Sequence, residues 1–476
     1  METLLRVLSE DEKSGIHERT LKILAETGVR IDTEKGRNIL KGAGAEVNET
    51  SGIVKFPRPF VEESLRLSPK QFSLGSRRPG WDVPMNSGEC TLMPDGEGIT
   101  VVDRETGELR PSTYNDWLEA TRLSDALDEI GVYWAMTEPG EGQGTIPETI
   151  SHWRKIFRNF SKHIQDSTAT VEESRWLLEV LQAIFGDKET IRKKHPYSFL
   201  VCPQSPLIIE GQFTDAYLEL VGWDIPIAVM PMPLMGGTGP GNMISITILG
   251  NCEVLAMLCL VQAAAPGTPF IYAPALAVMN PHTGMLSSGA IENGLLSSAA
   301  IEMARYYELP VEGSGGGTDT HAPGVQSTLE RTMNAMLPTL SWPDLMVGAG
   351  LLGGSMIVSL EQLIIDAEMF RMNKKARKGI RVNEDAWLDD VIQRVGPGGN
   401  FLGEKSTAVN MRAGEWLIPK LGVHEPRNSW EISGKVNLLE EAREKVEQIL
   451  NTHQPLPLPP DVEVELDRIE QKAKNF

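Results

Sequence analysis

The sequence predicts an α/β protein: a (β/α)8 TIM-like barrel with a helical N-terminal region and a C-terminal helical cap. Two observations carry this reading. Between Gly88 and Gly350, eight short apolar runs each end in Gly, Pro, Ser or Thr, and most are followed by a stretch of helical periodicity. Outside that region the alternation stops: helical periodicity stands alone before it, and the composition turns more charged after it. An open doubly wound sheet would give a similar string, and alternation repeated eight times favours the barrel.

In chain order, residues 1–87 form the N-terminal region, with helices expected over Leu8–Thr27, Thr33–Gly42 and Arg58–Leu67. The barrel follows over 88–372. Its strands are the runs Cys90–Met93, Val132–Met136, His163–Asp166, Ser198–Cys202, Pro226–Met232, Phe270–Ala273, Val311–Ser314 and Leu345–Gly348. The intervening helices are expected at Ser112–Leu127, Pro147–Phe160, Val171–Phe185, Gln212–Val221, Asn242–Ala265, Gly289–Tyr307 and Gly324–Leu340, with Ser359–Met372 after the last strand. Within 95–110, Ile99-Thr-Val-Val-Asp and Glu105-Thr-Gly-Glu read as a β-hairpin turning at Thr106-Gly107, an insertion at the barrel mouth. Residues 373–476 hold amphipathic helices at Asp385–Val395 and Leu438–Leu450, the loop Gly396–Gly403, a stiff Pro455–Pro460 connector and a charged helical tail. They form a cap or an assembly surface, and a homo-oligomer is expected.

Composition narrows the function. With 41% hydrophobic and 23% charged residues, the chain can bury a core, which excludes wholesale disorder. Its 45 basic and 65 acidic side chains give a net charge of −20, which disfavours nucleic acid and anionic membrane surfaces as partners. Charged residues interrupt Met1–Lys13, so no signal peptide is read there, and a cytoplasmic location is expected. The apolar stretch Met243–Ala265 contains Asn251, Glu253 and Gln262, which mark a buried helix rather than a membrane span. Cys90, Cys202, Cys252 and Cys259 make no CxxC pair and no zinc-spaced cluster, so neither a structural disulfide nor a metal site is expected.

A barrel carries its chemistry at the C-terminal ends of its strands. Those ends hold Thr137-Glu138, Gln165-Asp166-Ser167, Pro203-Gln204, Met232-Pro233 with Gly236 and Gly237, Ala273-Pro274, Gly315-Gly316-Gly317-Thr318-Asp319, and Gly348-Ala349-Gly350. The glycine-rich ends let a flat ligand or another protein's backbone approach closely, or only make tight turns. Phosphate binding competes poorly, because no P-loop lysine follows Gly236–Gly241 and Pro240 removes an amide donor. Tyr133, Trp134, Phe199 and Tyr272 supply aromatic faces suited to a quaternary ammonium, with core packing as the alternative for each. Strand alternation puts Tyr133 and Trp134 on opposite faces, so at most one lines the interior. Glu138, Asp166, Asp319, His321 and His282 are the titratable groups near the mouth, and Asp319 with His321 could do acid/base work or anchor a carboxylate. His163, at a strand start, reads as structural.

The glycine-rich strand end before Asp319, the run Gly348-Ala-Gly-Leu-Leu followed by Ser359–Asp366, and Gly396-Pro-Gly-Gly-Asn-Phe-Leu-Gly403 together resemble the trimethylamine:corrinoid methyltransferase family. The likeness spans roughly Gly88 to Leu421. With only the standard twenty residues, the chain is similar to the branch lacking pyrrolysine, which includes enzymes that demethylate glycine betaine; Asn400 stands where relatives often carry His. The resemblance implies methyl transfer from a quaternary amine, glycine betaine giving dimethylglycine, to the Co(I) corrinoid of a separate protein. No cofactor would be bound tightly, because the corrinoid belongs to the partner. On this reading Asp319 and His321 are catalytic; Tyr133, Trp134, Phe199, Gln204, Tyr272 and Gly316 hold the substrate; and Gly236, Gly237, Gly315 and Gly350 admit the corrin. Proline betaine or carnitine as donor, a folate or S-adenosylmethionine enzyme, a non-catalytic betaine-binding protein, and a lyase or isomerase using Asp319 or Glu138 as base are the alternatives.

Overall fold

The computed structural model describes residues 4–137, 144–432, 434 and 436–475. Each of the eight apolar runs is a strand: β1 (Thr91–Pro94), β2 (Val132–Tyr133), β3 (His163–Asp166), β4 (Tyr197–Val201), β5 (Ile227–Val229), β6 (Phe270–Tyr272), β7 (Glu312–Ser314) and β8 (Leu345–Ala349). All their pairings are parallel, running β2–β3–β4–β5–β6 in one sheet and β7–β8–β1 in the other. Parallel bridges Leu92–Ile130 and Tyr272–Val311 join the two sheets at both ends, so the ring closes. Closure leaves no unpaired edge to attract other chains.

The alternating helices are α1 (Tyr114–Ala126), α2 (Ile146–Asn159), α3 (Val171–Phe185), α4 (Gln212–Leu220), α5 (Met243–Ala264), α6 (Ile291–Tyr306), α7 (Val325–Leu340) and α8 (Leu360–Lys378). Local chemistry sets their starts: the Thr113, Asn242 and Ser359 side chains accept from the backbone amides of Asp116, Ser245 and Gln362, each cap contributing about 1 kcal/mol. The long apolar helix α5 is buried among the helices Glu10–Glu26, Glu34–Gly42 and Arg58–Leu67. Its polar residues are satisfied inside the protein: Asn251 binds Thr20, Tyr307 and Tyr272, Glu253 accepts from Ser205 and Leu207, and Gln262 binds Gly267 and Thr268.

The N-terminal region is less purely helical than its periodicity suggests. Strands Val29–Ile31, Glu46–Asn48 and Ile53–Lys55 form a sheet with Ile208–Ile209 from the barrel region. Strands of 3 residues are too short to register as a period of two. A second hairpin, Phe72–Leu74 with Val83–Met85, sends Leu74, Val83 and Met85 into the barrel interior against Met93, Val132, Leu200 and Ala228. It plugs the N-terminal end: Gly75 N–H donates to the His195 carbonyl and Asn86 N–H to Asp344, both just before a strand begins. The hairpin read within 95–110 is present, Thr100–Val102 pairing antiparallel with Leu109–Pro111. Near the C-terminus, Leu438–Thr452 packs on α8 and α1, and Pro460–Lys474 packs on α2 and α3, the latter fastened by Arg154 to Glu463 at 2.7 Å. Both helices therefore lie on the outer wall of the barrel.

Candidate active site

A cavity of about 460 Å³ opens at the C-terminal ends of the strands. Its wall is mostly apolar: Trp134 just after β2, Leu200 and Cys202 at β4, Met230 and Met232 after β5, Ala275–Ala277 after β6 and Val347 in β8. Polar groups come from Asp95, Ser288, Asn293, Ser314, Asn334 and Ser355. The described lining contains no Lys, Arg or His.

Trp134 stands where it does because residue 96 lacks a side chain. A Cβ on Gly96 would fall 1.7 Å from the indole Nε1. That Nε1 is buried and has no hydrogen-bond partner among the described residues, so the ring meets the cavity as an apolar aromatic surface. Asp95 accepts from Gly96 N–H and from the Ser355 hydroxyl, and burial lifts its carboxyl above the ordinary range. Burial also pushes the Cys202 thiol up to about 12, so Cys202 is a neutral wall and no nucleophile.

Residues from the helices behind the rim hold it in shape. Asn334 of α7 accepts from Gly316 N–H at 2.6 Å and donates to the Gly317 and Ser288 carbonyls, at 2.8 and 3.1 Å. Asn293 is likewise spent on the backbone of Val278, Ser287 and Ser288. Arg331 donates to Asp366 at 2.7 Å and to the Gly348 carbonyl at 3.1 Å, and Asp366 also accepts from Gly350 N–H at 2.8 Å.

The residues expected from sequence divide sharply. Trp134 and Gly315 line the cavity. Tyr133, Phe199 and Tyr272 do not: they face outward into the layer between barrel and helices. Tyr133 accepts from Trp117 Nε1 at 3.0 Å, Phe199 packs on Tyr217, and the Tyr272 hydroxyl donates to Asn251 at 3.0 Å. The seam between barrel and helices is wide enough to need large side chains, so the bulky residues of these strands fill it. Gln204 is exposed in a turn bridged to Ile208 and lies outside the lining. Gly316 and Gly350 lie behind the rim, bound through their amides to Asn334 and Asp366, while Gly236 and Gly237 are exposed on the loop after β5. Glu138 lies outside the described residues.

Asp319 and His321 are also outside the cavity wall. The Asp319 carboxylate accepts from Ser288 N–H at 2.6 Å, Gly289 N–H at 3.3 Å and the Ser287 hydroxyl at 2.9 Å, which stitches down the 287–289 loop. His321 is exposed, its ring beside Gly353. Asp319→Asn should accordingly weaken substrate binding about 5- to 100-fold by loosening Ser288, the value of one charge-assisted hydrogen bond, and leave residual turnover. Steady-state kinetics check this: complete loss of kcat at unchanged stability would make Asp319 a direct acid or base.

Asn334, which shapes the rim, was not singled out from sequence and has no sequence signal, being one polar residue on a helix.

A closed parallel barrel with an apolar cavity at the carboxyl ends of its strands is the architecture of barrel enzymes. Within that class, the trimethylamine methyltransferase (MTTB) family pattern matches residues 2–476, and the chain belongs to this family. It is 29% identical over 469 residues to trimethylamine methyltransferase MttB of Desulfitobacterium hafniense, covering 98% of this chain and 94% of that protein. It is 30% identical over 479 residues to MttB of Methanosarcina barkeri, covering 98% and 95%. The glycine betaine methyltransferase of Desulfitobacterium hafniense is 29% identical over 474 residues, covering 98% and 97%. In fold, the chain resembles the Methanosarcina barkeri monomethylamine methyltransferase MtmB, with TM-score 0.51 at 11% identity over 98% of this chain and 92% of that one.

Proposed function

We propose that this protein moves a methyl group from a quaternary amine to the Co(I) corrinoid of a partner protein. The observation that carries the reading is the cavity: apolar, walled by an indole, with the acidic Asp95 and no basic side chain in its described lining. Such a site suits a methylated cation, which offers no N–H and is held by π-faces and desolvation. A quaternary nitrogen is already positive. When its methyl leaves, the C–N electron pair stays on nitrogen and a neutral tertiary amine departs without a general acid. The chain's tasks are therefore to hold the ammonium, aim one methyl at the mouth and exclude water.

The rim supports a macromolecular acceptor. Met232 and Leu286 are exposed in the cavity lining, and the exposed Met285 and Met356 adjoin the lining residues Leu286 and Ser355, an apolar collar of the kind that marks a protein contact.

Glycine betaine, giving dimethylglycine, is the first donor to test, because a glycine betaine methyltransferase is among the relatives. Proline betaine and carnitine follow. With a Co(I) corrinoid protein and a quaternary amine, the protein should convert the cobalt spectrum to methyl-Co(III). Tight betaine binding without conversion, with an independently active partner, would make it a binding protein instead.

A further inference from the structure

One buried carboxyl has no part in the scheme above. Glu312 is 1% exposed and lies in β7, two residues before Ser314, which lines the cavity. Residues 312 and 314 share the interior face, because Val311 packs outward and a Cβ on Gly313 would meet Ile301 of α6. Glu312 is thus one layer beneath the cavity floor. Gln165 reaches it from β3, nitrogen to Oε2, at 2.9 Å, while Oε1 has no partner among the described residues. Asp95 differs, since it accepts two hydrogen bonds and shares the field of Arg331. Among the described residues, no cation acts on Glu312. Its partner in register on β8 is Leu345, the Cys202 thiol beside it is neutral, and the other charge acting on Cys202 is the carboxylate Glu97.

The hydrogen bonds behind Gln165 say which form of Glu312 the empty barrel holds. His163 Nδ1 lies 3.0 Å from the Gly75 carbonyl, so it carries the proton, and burial keeps the ring neutral, its pKa lowered to about 3. His163 Nε2 is then an acceptor, 2.8 Å from the Ser198 hydroxyl, which spends its one proton there. Gln165 lies 3.1 Å from Ser198 on the other side and must offer its NH2 to that oxygen. Its amide oxygen then turns to Glu312, and two oxygens at this distance need a proton between them. The nitrogen and oxygen of an amide are assigned from the network, and with the His163 ring neutral a protonated Glu312 satisfies every member of this one. Burial acts in the same direction, pushing the Glu312 carboxyl up to about 7.

We propose that Glu312 is the buried anion that receives the ammonium end of the substrate, neutral in the empty barrel and ionised by the cation that enters above it. One cation enters and one proton leaves to solvent, so the charge of the interior is unchanged and neither state buries an uncompensated ion. On binding, Gln165 turns its NH2 from the Ser198 oxygen to the carboxylate, giving up a neutral hydrogen bond for a charge-assisted one. The inference rests on the methyl-transfer reading only for its choice of ligand class.

Calorimetric titration with tetramethylammonium, in buffers of different ionisation enthalpy, tests it without any corrinoid. With a carboxyl that titrates near 7, the wild-type protein should release close to one proton per cation bound at pH 6 and almost none at pH 8. Affinity should fall about tenfold from pH 8 to pH 6, because protons compete below the carboxyl's midpoint. Glu312→Gln, which keeps shape and the Gln165 contact, should bind more weakly at pH 8, lose the pH dependence and release no proton. Wild-type binding without proton release, or a Glu312→Gln variant with wild-type affinity, overturns the proposal. If the wild-type protein binds no tetramethylammonium, the cobalt assay divides the cases: intact methyl transfer sinks the role of Glu312 alone, and absent transfer sinks the functional reading with it.

Discussion

Asp366→Ala should destabilise the protein by about 3–5 kcal/mol, the cost of removing one partner from a buried ion pair. Arg331 and Asp366 are almost wholly buried, with side-chain exposures of 1% and 3%. Arg331 Nε and Nη2 already lack partners, so loss of the carboxylate would leave the guanidinium with only the Gly348 carbonyl. The same change frees Gly350 N–H and the Gln362 amide, which both donate to Asp366. Urea unfolding followed by circular dichroism gives the number. The exposed Glu465–Arg468 pair is the control, since Glu465→Ala should cost under about 1 kcal/mol. A loss under 1 kcal/mol at Asp366 would mean that the rim does not depend on this pair.

Gly348→Ala should have the larger effect on activity, abolishing turnover while Gly241→Ala is silent. Gly348 has φ +134°, and a Cβ there would sit 1.7 Å from the Gly315 carbonyl oxygen on the neighbouring strand. No rotamer relieves a backbone clash, so β7 and β8 must part, and both Gly315 and Gly348 line the cavity. At Gly241 an added Cβ meets nothing within 4 Å. The readout is the cobalt assay beside a thermal melt. Wild-type turnover in Gly348→Ala would show that these strand ends do not shape the site.

The succession of elements was legible because it rests on local periodicity. Helix α3 falls on Val171–Phe185 as expected, bounded by the Thr170 cap and by Gly186 with its positive φ. The site was legible in part. That strand ends bear the chemistry follows from barrel geometry, and Trp134 and Gly315 came from it. Tyr133, Phe199 and Tyr272 went the other way because a period of two fixes alternation and leaves its phase open. Asn334, Arg331 and Asp366 reach the rim from helices 16 to 18 residues distant from the glycines they bind, and nothing local marks such contacts.

By itself, then, the amino-acid order determined the eightfold alternation of barrel strands and helices, where most of them begin and end, and the acidic, apolar character that excludes whole classes of partner. Those properties depend on neighbours along the chain. The tertiary structure alone decided which face of each strand points inward, how the Leu74–Val83 hairpin seals one end, and that Glu312 lies beneath the cavity with a single amide for company. These follow from closing eight strands into a ring, which brings β3 and β7 to opposite sides of one interior and sets their side chains against each other.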